Sequence, residues 1–182
     1  MTVDLPSAIV ELSQTFNAAG IGHAFGGALA LAWCTERARG TIDIDVNCFI
    51  SLEEVDLLLT ALPKAIVRDD HAVHLLRSTG QARFFWGPIP VDLFCNTTAF
   101  HDGLESRVSV ERFAGAEVPF LGCTDLAVFK AMFNRPKDWV DLEEVVQAGT
   151  CDHEVVIGVL VRYLGTNDER VDRFLRLIET PK

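Results

Sequence analysis

Apolar and polar positions recur along this chain with two different periods, and the changes of period mark its elements. Ile9, Leu12 and Phe16 stand at helical spacing behind Asp4 and Pro6 and ahead of Gly20, which predicts a capped first helix with a glycine stop. A very short strand, His23–Phe25, should follow. Gly26 and Gly27 then open an Ala-rich apolar stretch that reads as a buried helix ending near Glu36. Ile42, Ile44, Val46 and Cys48 alternate with Asp43, Asp45 and Asn47, so one face of a strand is apolar while the other carries three polar side chains. Ser51 and Glu54 have the spacing of a capping box, opening a helix that runs through Leu62 and is closed by Pro63.

From Lys64 to Leu121 the pattern is β-rich. Strands are expected at His74–Arg77, Arg83–Trp86, Pro90–Phe94, Val108–Arg112 and Glu117–Phe120, with turns at Gly80, Gly87, Pro88 and Gly103. After Thr124, a suitable N-cap, helices are expected over 125–133, 138–147, 153–163 and 167–178. The fold class is therefore α/β (α+β), a mixed β-sheet core flanked by helices with a helical C-terminal portion. The expected division is residues 1–122 and 123–182, packed together, since no linker, repeat or low-complexity tract separates them.

Composition narrows the functional classes. The 182 residues are 49% hydrophobic and 23% charged, enough to bury a core and to exclude global disorder. A net charge of −10 repels a phosphate backbone and argues against non-specific nucleic-acid coating. The longest apolar run, Ala24 to Cys34, falls well short of the roughly 20 residues of a spanning helix, so no membrane role is expected. Cys34, Cys48, Cys95, Cys123 and Cys151 are odd in number and scattered, with no CxxC pair and no signal peptide. They are expected to be reduced, mostly buried thiols of a cytoplasmic protein.

Three carboxylates carry the candidate chemistry. Asp43 and Asp45 lie two residues apart on one strand and point the same way, so they can bracket one divalent cation and share a second. Gly26 and Gly27, at a strand-to-helix turn, leave backbone N–H groups open to phosphates at the positive end of a helix. Asp92 interrupts the apolar strand Pro90–Phe94, a costly position unless the carboxylate is paired or metal-bound. A working two-metal site needs all three to converge within roughly 4–5 Å of a common point. The five histidines have no zinc spacing, and Gly20, Gly22 and Gly26 lack the dinucleotide fingerprint.

The order of these residues resembles the minimal nucleotidyltransferases of the DNA polymerase β superfamily, particularly the branch of AbiEii-type toxins. The resemblance rests on Gly26-Gly27, then Arg39-Gly40-Thr41-Ile42-Asp43-Ile44-Asp45, then Val91-Asp92-Leu93. Downstream, Asp125 stands five positions before Lys130, with Asp where that pattern usually has Glu, and Arg135, Lys137, Asp138, Asp141 and Leu142 match an R-x-[KR]-D-x-x-D-L pattern. The motifs span Phe25 to Leu142.

The resemblance implies a nucleotidyltransferase-like sheet and the transfer of a nucleoside monophosphate from an NTP to an acceptor hydroxyl. Asp43, Asp45 and Asp92 would hold two Mg²⁺ ions. Gly26, Gly27, Arg39, Thr41 and Lys130 would contact the nucleotide, Lys130 offsetting charge on the leaving pyrophosphate, although an arginine beside a strand, as Arg39 is, more often serves a surface ion pair. Asp138 and Asp141 are both carried as catalytic candidates. The implied biology is the toxin of a toxin–antitoxin or phage-defence pair, modifying a tRNA end or a protein, with a cognate antitoxin as partner. A lincosamide or aminoglycoside nucleotidyltransferase acting on a small molecule is the enzymatic alternative, and a non-catalytic interaction module on the same fold is the other.

Overall fold

Asp4 accepts a hydrogen bond from the Ser7 amide at 2.8 Å and starts α1 (Leu5–Ala18), whose Ile9, Leu12 and Phe16 are buried along one stripe. Burying such side chains stabilises by about 1.5–3 kcal/mol each. This computed structural model describes residues 4–37 and 40–179. The chain divides into two units, Met1–Leu29 with Gly40–Leu121, and Ala30–Arg39 with Gly122–Lys182.

The first unit is built on a sheet. Its strands are β1 (His23–Phe25), β2 (Ile44–Cys48), β3 (Ile66–Val67), β4 (Gln81–Trp86), β5 (Ile89–Cys95), β6 (Ser109–Phe113) and β7 (Ala116–Phe120). Among the described residues they form one mixed sheet in the order β3-β4-β5-β2-β1-β7-β6. The centre pairs β2 parallel to β5 and antiparallel to β1, and β1 runs parallel to β7. In β5 the residues Ile89, Val91, Leu93 and Cys95 are buried and the intervening positions less so, the two-residue alternation of a strand. Helix α3 (Val55–Ala61) follows a 3₁₀ turn at Leu52–Glu54, where Glu54 Oε2 accepts from the Ser51 amide at 2.9 Å, completing the expected capping box.

His74–Arg77, expected as a strand, is instead the middle of helix α4 (Asp70–Thr79). Asp69 caps that helix by accepting from the Ala72 amide at 2.9 Å, Ala72 and Leu76 are buried one turn apart, and Gly80 ends it in the left-handed conformation. Four residues with two apolar members fit a strand or a helical turn equally well, so the flanking caps decide. The two-residue edge strand β3 has too little pattern to have been expected.

Helix α2 (Gly27–Thr35) begins in the first unit and continues into the second. The second unit is otherwise α5 (Cys123–Phe133), α6 (Pro136–Ala148), α7 (His153–Leu164) and α8 (Glu169–Glu179). Leu126, Ala127, Ala131, Leu142, Val145, Val156, Leu160, Val171 and Phe174 form its apolar interior. Thr124 lies inside α5 rather than capping it, and its Oγ1 accepts from the Asp152 amide at 3.0 Å. Cys34 and Cys123 form a disulfide with Cα atoms 5.5 Å apart, correcting the expectation of five reduced thiols. The pair is 89 residues apart, a separation that sequence spacing cannot connect. Cys48, Cys95 and Cys151 are free and buried, and burial raises all three thiols, Cys95 and Cys151 to about 11. No helix among the described residues is long and apolar enough to cross a membrane.

Candidate active site

Gly27 fixes one edge of the site. It opens α2 with φ of +56°, a conformation side chains avoid, and a Cβ built there would lie 2.7 Å from Asp45 Cγ and overlap Asp45 Oδ2. The Asp45 carboxylate is thus seated against the first residue of a helix, where backbone N–H groups lack intrahelical partners. The Gly26 amide donates to the Asp45 carbonyl at 2.9 Å, tying the double-glycine turn to the start of β2.

Strand register supplies the rest of this face. Asp45 stands opposite Asp92 across the parallel β2 and β5, and Asp92 stands opposite Arg83 across the antiparallel β4 and β5. Asp43, expected on the strand with Asp45, lies just before β2. The Thr41 hydroxyl donates to Asp43 Oδ1 at 2.5 Å and holds that carboxylate. Asp43, Asp45, Asp92, Thr41, Gly26 and Gly27 are therefore all in the first unit.

Arg83 is the residue that sequence reasoning missed. Its Nε donates to Asp92 Oδ1 at 2.7 Å and its Nη2 to Asp92 Oδ2 at 2.6 Å, a two-pronged pair, while Nη2 lies 3.9 Å from Asp43 Oδ2. The hydrogen bonds to Asp92, with the charges of Asp92, Asp43 and Asp45, push the guanidinium further above its ordinary value. A signal was present. The Gly87-Pro88 turn pairs Trp86 with Ile89, and counting outward along that hairpin brings Arg83 opposite Asp92.

The site's donor chemistry suits a hard divalent cation, since all three candidate ligands are carboxylates. Convergence, however, is incomplete. Among the described residues no three acidic, His or Cys side chains form a ligand cluster, and both Asp92 oxygens are engaged by Arg83.

Lys130, Asp138 and Asp141 come together in the second unit. The Lys130 side chain is 7% exposed, with Nζ 2.6 Å from Asp141 Oδ2 and 3.8 Å from Asp138 Oδ1. Asp138 is wholly buried and also accepts from Arg135, at 2.6 Å from Nε and 3.0 Å from Nη2. Asp125 is buried in the same unit. Arg39 lies outside the described residues.

No protein-family model matches the chain, and no curated protein matches it. Solved structures do. The antibiotic-resistance factor ANT(2'')-Ia in solution has a TM-score of 0.61 at 12% identity, over 90% of this chain and 92% of that one. The lincosamide antibiotic adenylyltransferase LnuA, bound to lincomycin, gives 0.54 at 12% identity, over 80% of this chain and 98% of that one. An antigenic nucleotidyltransferase-like protein from Paracoccidioides brasiliensis gives 0.51 at 12% identity, over 93% and 92%. At such identities the likeness concerns the fold alone. With its mixed sheet flanked by helices, this chain has the nucleotidyltransferase-like fold.

Proposed function

We propose that this protein is a Mg²⁺-dependent nucleotidyltransferase that moves a nucleoside monophosphate from an NTP to an acceptor hydroxyl, with pyrophosphate as the leaving group. The observation that carries the reading is that Asp45 and Asp92 are register neighbours across β2 and β5, with Asp45 seated against Gly27 where α2 begins and Asp43 3.9 Å from the arginine that holds Asp92. Asp43 and Asp45 would hold the Mg²⁺ that accompanies the triphosphate, and Asp92 would join them for a second ion. Bound there, the ions supply positive charge to the reacting phosphoryl group. The remaining work falls to the chain. Backbone N–H groups at Gly26 and Gly27 meet phosphate oxygens, Thr41 fixes the orientation of Asp43, and Asp92 orients the acceptor hydroxyl and takes its proton. The part of Lys130 in this reading is decided by whether its charge is needed for folding or for turnover.

For the acceptor, the resemblance of Asp125, Lys130, Arg135, Lys137, Asp138, Asp141 and Leu142 to the AbiEii pattern supports a toxin modifying a tRNA end or a protein hydroxyl, neutralised by an antitoxin. A second reading, an antibiotic acceptor, is favoured by the likeness to ANT(2'')-Ia over most of both chains, a protein also solved with adenylyl-2''-tobramycin. The net charge of −10 suits a small cationic acceptor better than a polyanion. The test incubates the protein with Mg²⁺ and each α-labelled NTP, offering total RNA, a protein extract and an aminoglycoside and lincosamide panel. Label entering one acceptor class, and absent with the Asp43→Ala/Asp45→Ala variant, supports the reading and selects the acceptor. Absence of transfer to every class, together with absence of Mg²⁺-dependent NTP binding, favours a non-catalytic interaction module.

A further inference from the structure

The third carboxylate of the site already has a cation. Arg83 places one nitrogen on each oxygen of Asp92, at 2.7 and 2.6 Å, and its Nη2 is 3.9 Å from Asp43. Asp92 is the sheltered member, its side chain 14% exposed, whereas that of Arg83 is 51% exposed on the open face of β4. An ordinary surface ion pair joins two mobile, solvated partners and contributes little. Here a fixed carboxylate, beside two others that raise the local negative potential, is held by a guanidinium with room to leave. Asp45 and Asp92 are register neighbours, yet no three-carboxylate cluster is assembled among the described residues.

We propose that Arg83 is the resident counter-ion of this site, competing with a divalent cation for Asp92, so that the cation completes its ligand set only as the guanidinium withdraws. This rests on the nucleotidyltransferase reading and adds a control to it. Arg83 acts through Asp92, as a positioning residue, and sets the cation concentration at which the three carboxylates close on a common centre. No bond is made or broken in the exchange; one cation replaces another on the same oxygens.

The test measures Mn²⁺ binding by electron paramagnetic resonance on the full chain, without nucleotide or acceptor. Arg83→Gln is expected to bind Mn²⁺ about tenfold more tightly than the unaltered protein, the scale of one charge-assisted hydrogen-bonded pair. Arg83→Lys, which keeps the charge but loses the two-pronged geometry, is expected to gain about threefold, and it keeps the test available should the glutamine variant not fold. The gain should vanish when Asp92→Asn is added. A residue needed only for structure would leave the affinity unchanged or lower it when replaced. Equal or weaker binding by the Arg83 variants, with Asp45→Asn still abolishing Mn²⁺ binding, would overturn the competition while leaving the metal site intact. Absence of Mn²⁺ binding in the unaltered protein and in the variants alike would overturn the metal reading and the competition with it.

Discussion

Replacing Lys130 with Met tests whether its charge holds the second unit together. The ammonium lies 2.6 Å from Asp141 and 3.8 Å from Asp138, and all three side chains are nearly or wholly buried. With an effective dielectric of about 20, the closer contact alone corresponds to roughly 6 kcal/mol of Coulomb attraction. Desolvation of the two ions offsets most of it, so the intact pair adds little net stability. Removing one partner is different, because the desolvated carboxylate stays. Arg135 still serves Asp138, but Asp141 loses its short ammonium contact, and the expected loss is about 3–5 kcal/mol. Urea unfolding followed by circular dichroism measures it. In a double-mutant cycle, Lys130→Met with Asp141→Asn should cost much less than the two single changes summed, since both changes remove the same contact. A loss below about 1 kcal/mol, with additive changes, would refute this reasoning and return Lys130 to the role on the leaving pyrophosphate that the resemblance implies.

Gly27→Ala combines a left-handed backbone position with overlap on Asp45, so a loss of about 1–3 kcal/mol in unfolding free energy is expected from the backbone alone, together with displaced Asp45 and weakened Mn²⁺ binding; an unchanged melt and affinity would contradict the close approach. His23, buried with Nε2 3.0 Å from Ser13 Oγ, has its pKa lowered chiefly by desolvation. The unfolded chain therefore takes up the proton first as pH falls below 6.5, and stability present above that value should decline toward pH 5, less steeply in His23→Phe, as read by urea melts at several pH values. His101, lowered by the same cause, accounts for part of the slope that remains. Thiol titration in denaturant should count Cys48, Cys95 and Cys151 without reductant and gain Cys34 and Cys123 after reduction, while the three buried thiols should resist alkylation in the native protein.

Local pattern made much of this architecture legible. Asp4 with Pro6, the capping box of Ser51 and Glu54, and the alternation that places Ile44, Val46 and Cys48 in the core each express a rule that operates over a few residues. Asp45 was readable for a related reason, since alternation with Ile44 and Val46 turns it away from the core, and an Asp inside Pro90–Phe94 needs a partner; Asp43, expected on the same strand, instead lies just before β2. What escaped depends on distant parts of the chain. The Cys34–Cys123 disulfide joins residues 89 apart, and the burial of Lys130 with Asp141 depends on how helices pack. The stretch His74–Arg77 within α4 is ambiguous because its two apolar members, Leu75 and Leu76, are adjacent and establish neither period, and the deciding signals, Asp69 and Gly80, lie outside the stretch. The partner of Asp92 is an intermediate case. It follows from the hairpin register, but only once the Gly87-Pro88 turn is taken as the point from which to count.

Equilibrium binding of labelled NTPs, with and without Mg²⁺, tests the central claim most directly because it requires no knowledge of the acceptor. Saturable binding of at least one NTP that depends on Mg²⁺, and that is lost in a folded Asp45→Asn variant, is the result expected of a site built on Asp43, Asp45 and Asp92. Absence of Mg²⁺-dependent binding to the unaltered protein, or binding that Asp45→Asn leaves intact, would contradict it.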